Sequence, residues 1–159
     1  MIVGRGDLAK VITDRDGALF FAAGVSNSSC EDRDQFRLEK HLLLEQPKDL
    51  CLFYFGSISM YYKASAYTIH KANMELLIKS NWVNYNIVRL GNISWGTNPN
   101  TFLNYIRGRK KRGEPYEVKD EYKYMIDEDQ LNLLCSSLPL QGQNEINVFG
   151  RMAKVIDLI

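Results

Sequence analysis

Three stretches of the chain have strand length and stop at a glycine, and the first two are apolar throughout. They are Ala18–Ala23 (ALFFAA) before Gly24, Leu50–Phe55 (LCLFYF) before Gly56, and Asn86–Leu90 (NIVRL) before Gly91. Alternating polarity would mark a sheet with one wet face, whereas a continuous apolar run marks a strand covered on both faces. Between these runs lie stretches of helix length. Glu31–Leu44 carries Phe36, Leu38, Leu42 and Leu43 among charges, and Ala64–Lys79 sets Ala72, Leu76 and Lys79 at helical spacing. Strand–helix alternation of this kind predicts an α/β fold around a mostly parallel sheet. Met1–Val3 adds a short first strand and Ile146–Phe149 a late one. Further helices are expected over Thr101–Arg109, Asp129–Ser136 and Met152–Leu158, with a small strand element within Pro115–Ile126.

A chain of 159 residues suits one domain, predicted here to run over 1–159 with a small subregion around 97–140. A domain of this size buries roughly two-thirds of its unfolded surface, so it needs no disulfide scaffold. Cys30, Cys51 and Cys135 are scattered without a CxxC pair and read as buried free thiols of a reducing compartment. A formal net charge of +1 argues against nucleic acid or an anionic membrane as the main partner. No apolar stretch approaches the ~20 residues of a membrane span. The start reads as a strand and glycine turn rather than a signal peptide. The expectation is a soluble cytoplasmic protein. His41 and His70 have no third ligand at metal spacing, so no metal site is predicted.

Three local patterns carry chemistry. Gly4-Arg5-Gly6-Asp7-Leu8-Ala9 follows the first strand, where a tight glycine turn lets backbone N–H groups approach a pyrophosphate. It reads equally well as a plain strand-to-helix turn. Ser57 lies just past the LCLFYF strand, where α/β sheets bind ligands; a hydroxyl there can hold a carbonyl or alcohol oxygen, or simply cap a turn. Tyr67 and Lys71 stand at i and i+4 on one helix face. An ammonium near the phenol would favour the phenolate and lower the tyrosine pKa from about 10, suiting it to acid–base catalysis. An isolated surface Tyr–Lys pair is the plainer alternative.

In this order, the glycine turn, Ser57 and Tyr67-Thr-Ile-His-Lys71 resemble the extended short-chain dehydrogenase/reductase superfamily, in particular its NAD-dependent epimerase/dehydratase-like members of nucleotide-sugar and polysaccharide pathways. Flanking segments support the resemblance: Ala22-Ala23-Gly24-Val25-Ser26-Asn27-Ser28, Phe55-Gly-Ser-Ile-Ser-Met-Tyr61, Val88-Arg89-Leu90-Gly91-Asn92-Ile93, and the late strand Asn144–Phe149. The resemblance implies a Rossmann-like three-layer fold, truncated relative to the family, and NAD or NADP as cofactor. It implies a nucleotide-sugar substrate undergoing oxidation, reduction, epimerisation or dehydration. Ser57 would orient the reacting oxygen, Tyr67 would transfer the proton, and Lys71 would tune Tyr67 and bond the nicotinamide ribose. Gly4, Gly6 and Ala9 would form the pyrophosphate turn; Ala22, Ala23 and Gly24 would line the cofactor cleft; Asn92 and Ile93 would lie by the nicotinamide. The family commonly dimerises through the Tyr–Lys helix, which here implies a homodimer through that helix and Glu31–Leu44, with Met74, Leu77 and Ile78 as its apolar face.

The chain departs from the family in one large respect. Only Lys10–Gly17 separates the glycine turn from the next strand, where longer members hold the elements that grip the adenosine ribose. Asp14 and Asp16 fall in a predicted turn. The adenosine end is therefore expected to be open, and a non-catalytic nucleotide- or partner-binding module is the alternative to an enzyme. Among other residues, His70 reads as structural and His41 as surface or packing. Arg89, inside an apolar strand, reads as a buried salt bridge. Trp95 reads either as a pocket wall or as core, and the basic run Arg107–Arg112 as a solvated helix end.

Overall fold

The structure is a computed structural model and describes residues 1–118 and 121–159. Its strands are β1 (Ile2–Val3), β2 (Ala18–Phe21), β3 (Cys51–Ser57), β4 (Tyr85–Leu90), β5 (Asn92–Ile93), β6 (Tyr122–Ile126), β7 (Gln143–Val148) and β8 (Arg151–Lys154). Its helices are α1 (Asp7–Val11), α2 (Arg33–Leu44), α3 (Ala66–Asn81), α4 (Phe102–Lys111) and α5 (Glu128–Ser137). The three apolar runs become the middle of a five-stranded sheet of order β1-β2-β3-β4-β7, in which every pair is parallel.

Apolar residues dominate β2, β3 and β4 because both sheet faces are covered. Phe20, Phe53, Phe55, Val88 and Leu90 face one core together with Ile12, Leu131 and Cys135, beside α1 and α5. Leu19, Phe21, Leu52, Tyr54 and Ile87 face the other, against Leu43 of α2 and Met74 and Ile78 of α3. This is the three-layer Rossmann-like arrangement expected from the sequence. Helix starts are fixed locally: the Asp32 carboxylate accepts from the amides of Asp34 and Gln35 ahead of α2, and Ser65 and Thr68 cap each other's backbone ahead of α3.

The tail departs from expectation. The sequence pattern predicts a helix over 152–158, but 151–154 form β8 and only Val155–Leu158 turn as a 3-10 helix. The cause is tertiary: β8 finds an antiparallel partner in β6, with Met152 opposite Tyr124, and this ladder overrides the weak helical pattern. β5, β6 and β8 make a second sheet, which draws strands from both sides of 97–140. The strand expected within Pro115–Ile126 is β6; Lys119 and Asp120 of that stretch lie outside the described residues.

The apolar face assigned to dimerisation is also corrected. Met74 and Ile78 point into the sheet and are buried, because they continue the inward stripe begun by Tyr67 and Lys71 at helical spacing. The large apolar side chains that α2 and α3 expose are Leu38, Leu44, Ile69 and Leu76.

Candidate functional site

The carboxyl ends of the parallel strands open into a cleft of about 920 Å³. Ligands of open α/β sheets bind at this end because side chains and amides of the strand-to-helix turns converge there. Eight sequence-predicted residues line it: Gly6, Ala22, Gly24, Ser57, Tyr67, Lys71, Asn92 and Ile93. Gly4, Ala9 and Ala23 lie off its wall. Gly4 instead lets the chain pass close to β2. Its φ is +132°, and a Cβ there would sit 2.4 Å from the Ala22 carbonyl oxygen. Ala23 packs against the α2–α3 core.

Tyr67 and Lys71 share the inward face of α3 and are both buried. Among the described residues no hydrogen bond engages the Tyr67 hydroxyl, although the residue lines the cleft. The sequence placed the Lys71 ammonium at that phenol, but its bonds go elsewhere. Nζ donates to Glu39 Oε1 at 3.0 Å and to the Tyr54 hydroxyl at 3.2 Å, while it stands 5.8 Å from the centroid of the Tyr67 ring. The i, i+4 spacing fixes a shared helix face, but it cannot say which acceptor across the interior wins the charge. Here the Glu39 carboxylate takes the charge, and the Tyr54 hydroxyl, itself bound to Glu39, takes a second N–H.

Glu39 is therefore central, although it is 2% exposed. It also accepts the Tyr54 hydroxyl at 2.9 Å, the Val25 amide at 2.8 Å, and a bond from His70 Nε2 at 2.9 Å. Burial by itself would raise its pKa; the Lys71 ammonium and these donors outweigh burial and hold it at about 2. The Tyr54 phenol, by contrast, is pushed up by burial and by the Glu39 charge and stays protonated.

Ser57 caps the 3-10 turn Ile58–Tyr61, accepting from the Ser59 amide at 3.2 Å, and its Oγ lies 2.7 Å from Ser59 Oγ. The cap and the cleft-lining position coexist. At the cleft's other end the Asp7 carboxylate accepts the amides of Thr97 at 3.1 Å and Asn98 at 2.9 Å, tying α1 to the loop after β5. Asn98 Nδ2 reaches on to Ser26 Oγ at 2.8 Å.

The residues weighed as structural have identifiable partners. Arg89 grips Glu75 through two bonds of 2.8 and 2.6 Å and reaches Glu145 at 2.5 Å and the Tyr61 hydroxyl at 2.9 Å. His70 stacks on Phe36 at 4.3 Å, and exposed His41 pairs with Glu45 at 3.1 Å. Trp95 packs against the core and donates to the Asp7 carbonyl at 3.2 Å. In the basic run, Arg109 and Arg112 both bond Glu114. Asp14 binds the N-terminal ammonium, and Asp16 lies in the turn before β2. All three cysteines are buried and free.

No protein-family model matches the sequence, and no curated protein matches it at a significant level. Solved structures do match by shape. WbmH of Bordetella bronchiseptica, in complex with NAD+, superposes with a TM-score of 0.69 at 12% identity, over 89% of this chain and 55% of that one. A mutant UDP-glucuronic acid 4-epimerase of Bacillus cereus, in complex with UDP-4-deoxy-4-fluoro-glucuronic acid and NAD, gives 0.67 at 16%, over 95% and 59%. The UDP-N-acetylglucosamine 4-epimerase of Methanobrevibacter ruminantium gives 0.62 at 20%, over 96% and 61%. The chain has the fold of the UDP-sugar epimerases. It spans a little over half the length of these epimerase-fold proteins.

Sequence reasoning missed Glu39, Tyr54, Asp7 and Asn98. Glu39 had a signal: it lies on the stripe Phe36–Glu39–Leu43, where a charge on the apolar face of a helix demands a buried partner. Tyr54 placed a hydroxyl inside an otherwise apolar strand. Asp7 and Asn98 had no local signal, since 91 residues separate them.

Proposed function

We propose that this chain binds a nicotinamide dinucleotide in the cleft and acts on a nucleotide-linked sugar by oxidation, reduction, epimerisation or dehydration. The observation that carries this reading is the Tyr67 hydroxyl, unengaged on the cleft wall one helical turn from Lys71. The residues present suit the nicotinamide half of NAD or NADP. Ala22 and Gly24 leave a small-residue wall, Asn92 and Ile93 flank it, and Lys71 retains an N–H for a ribose hydroxyl. A bound nicotinamide would supply hydride exchange. The chain's part is to hold a sugar hydroxyl against Ser57 and to move its proton at Tyr67 Oη.

The adenosine half is less provided for. β1 borders the sheet among the described residues, and Asp7 brings a carboxylate to the glycine turn. This favours, as a second reading, a module that keeps the fold without turnover. One experiment separates the two: calorimetric titration with NAD, NADH, NADP and NADPH. Micromolar binding of one pair supports the enzyme, and a flat response to all four supports the module.

The same reading places one domain over 1–159, with its substrate side around 97–140. It also predicts a homodimer through α2 and α3, now with Leu38, Ile69 and Leu76 as the contact face, and light scattering reporting a monomer would refute it. The free buried thiols support a cytoplasmic, reducing location. No helix among the described residues is long and apolar enough to cross a membrane.

A further inference from the structure

Glu39 joins three parts of the fold at one buried carboxylate. Oε1 takes the Tyr54 hydroxyl of β3 and the Lys71 ammonium of α3; Oε2 takes His70 of α3 and the Val25 amide after β2. A hypothetical Cβ on Gly24 would lie 2.7 Å from both Glu39 Oε1 and Lys71 Nζ, so the ion pair sits directly behind the cleft wall. An ammonium has three N–H groups, and Lys71 spends one on Glu39 and one on Tyr54. Both lysines on the cleft wall have a carboxylate: Lys71 has Glu39, and Lys10 has Asp7, more loosely, at 3.9 Å.

We propose that Glu39 is a positioning residue, which fixes Lys71 so that a single N–H is offered to a neutral hydroxyl oxygen of a cleft ligand. The inference rests on the proposed function for the identity of that ligand, but not for the anchoring itself. Without its counter-ion a buried lysine sheds its proton and becomes a poor donor. With it, Lys71 stays charged, yet its charge is already balanced. A second anion at that N–H would share one ammonium with Glu39 in a desolvated place, whereas a ribose or sugar hydroxyl would add no charge.

The test is lysine side-chain NMR on the full chain, with Lys71 assigned by the signal lost in Lys71→Arg. In Glu39→Gln the Lys71 Nζ signal is expected to lose the slow solvent exchange that the ion pair gives it, with hydrogen exchange at least about 10-fold faster. An exchange rate within about twofold of the native value overturns the anchoring. With native protein, NADH is expected to shift the Lys71 signal, while inorganic pyrophosphate at millimolar concentration leaves it in place. An equal response to pyrophosphate overturns the neutral-hydroxyl assignment. If NADH fails to bind at all, the proposed function fails, while the Glu39→Gln and pyrophosphate results still judge Glu39. Should Glu39→Gln not fold, Glu39→Gln/Lys71→Met decides the matter. A folded double variant supports the pairing, because both charges leave together, and an unfolded one overturns it.

Discussion

The α2–α3 side of the sheet and the α1 edge border the same cleft and are built differently. On the first side, α3 buries Tyr67, Lys71, Met74, Glu75 and Ile78, and two ion clusters, Glu39–Lys71–His70 and Arg89–Glu75–Glu145, lock it to α2 and the strands. On the second, α1 has five residues, none fully buried, and sets Leu8 and Val11 against the core beside α5, next to a two-residue strand. Its polar ties are the Asp7 carboxylate on the loop amides of Thr97 and Asn98 and the Val11 carbonyl, which accepts from Asn132 of α5. The residues proposed above for proton transfer are held by the over-determined half. The half that would meet the distal end of a dinucleotide has few buried contacts, the mark of a region that opens locally.

The contrast can be broken in four ways. The largest effect is expected from Arg89→Met, which strands Glu75 in the interior. It should cost about 3–5 kcal/mol in urea unfolding. A smaller loss than from any change in α1 would reverse the comparison.

Acid comes next. The pKa of Glu39 is depressed in the folded state, from 4.5 to about 2, so its contribution is fully present above pH 4.5 and is lost as pH falls toward 2. A depression of that size corresponds to roughly 3 kcal/mol. Urea titrations across this window should show the native protein losing stability more steeply than Glu39→Gln.

The third substitution, Tyr67→Phe, separates chemistry from support. No partner loses a bond, so stability should stay within about 1 kcal/mol. Turnover of a nucleotide-sugar substrate should drop at least about 100-fold. Unchanged turnover would remove Tyr67 from the mechanism. The smallest effect is expected from Asp7→Asn, at about 1 kcal/mol. Amide hydrogen exchange at Thr97 and Asn98 should accelerate while that of α3 does not. Acceleration spreading into α3 would mean that the two halves open as one.

Much of the fold was legible because its signals are local. Leu50–Phe55 announced a strand buried on both faces, and β3 is that strand. Arg89 inside an apolar run announced a buried ion pair, and Glu75 and Glu145 supply it. The candidate site was legible only in outline. Tyr67 and Lys71 reach the cleft wall as their spacing required, but the spacing also suggested that Lys71 serves Tyr67 first. Glu39 takes that ammonium from 32 positions away. The tail differs for a similar reason: residues 151–154 are too few for periodicity to decide, and pairing with β6 settled them.

By itself, then, the sequence determined which segments are strands covered on both faces, and that Ser57, Tyr67 and Lys71 emerge near one end of one sheet. Periodicity and glycine stops encode burial and direction, and these follow from neighbours along the chain. Tertiary structure alone decided which buried charge meets which. A helix stripe records that Glu39 and Lys71 must both point inward, but only the packing of α2 on α3 and β3 brings them to 3.0 Å. That contact turns the lysine of the Tyr67–Lys71 pair from a free charge beside a phenol into a donor held in place by Glu39.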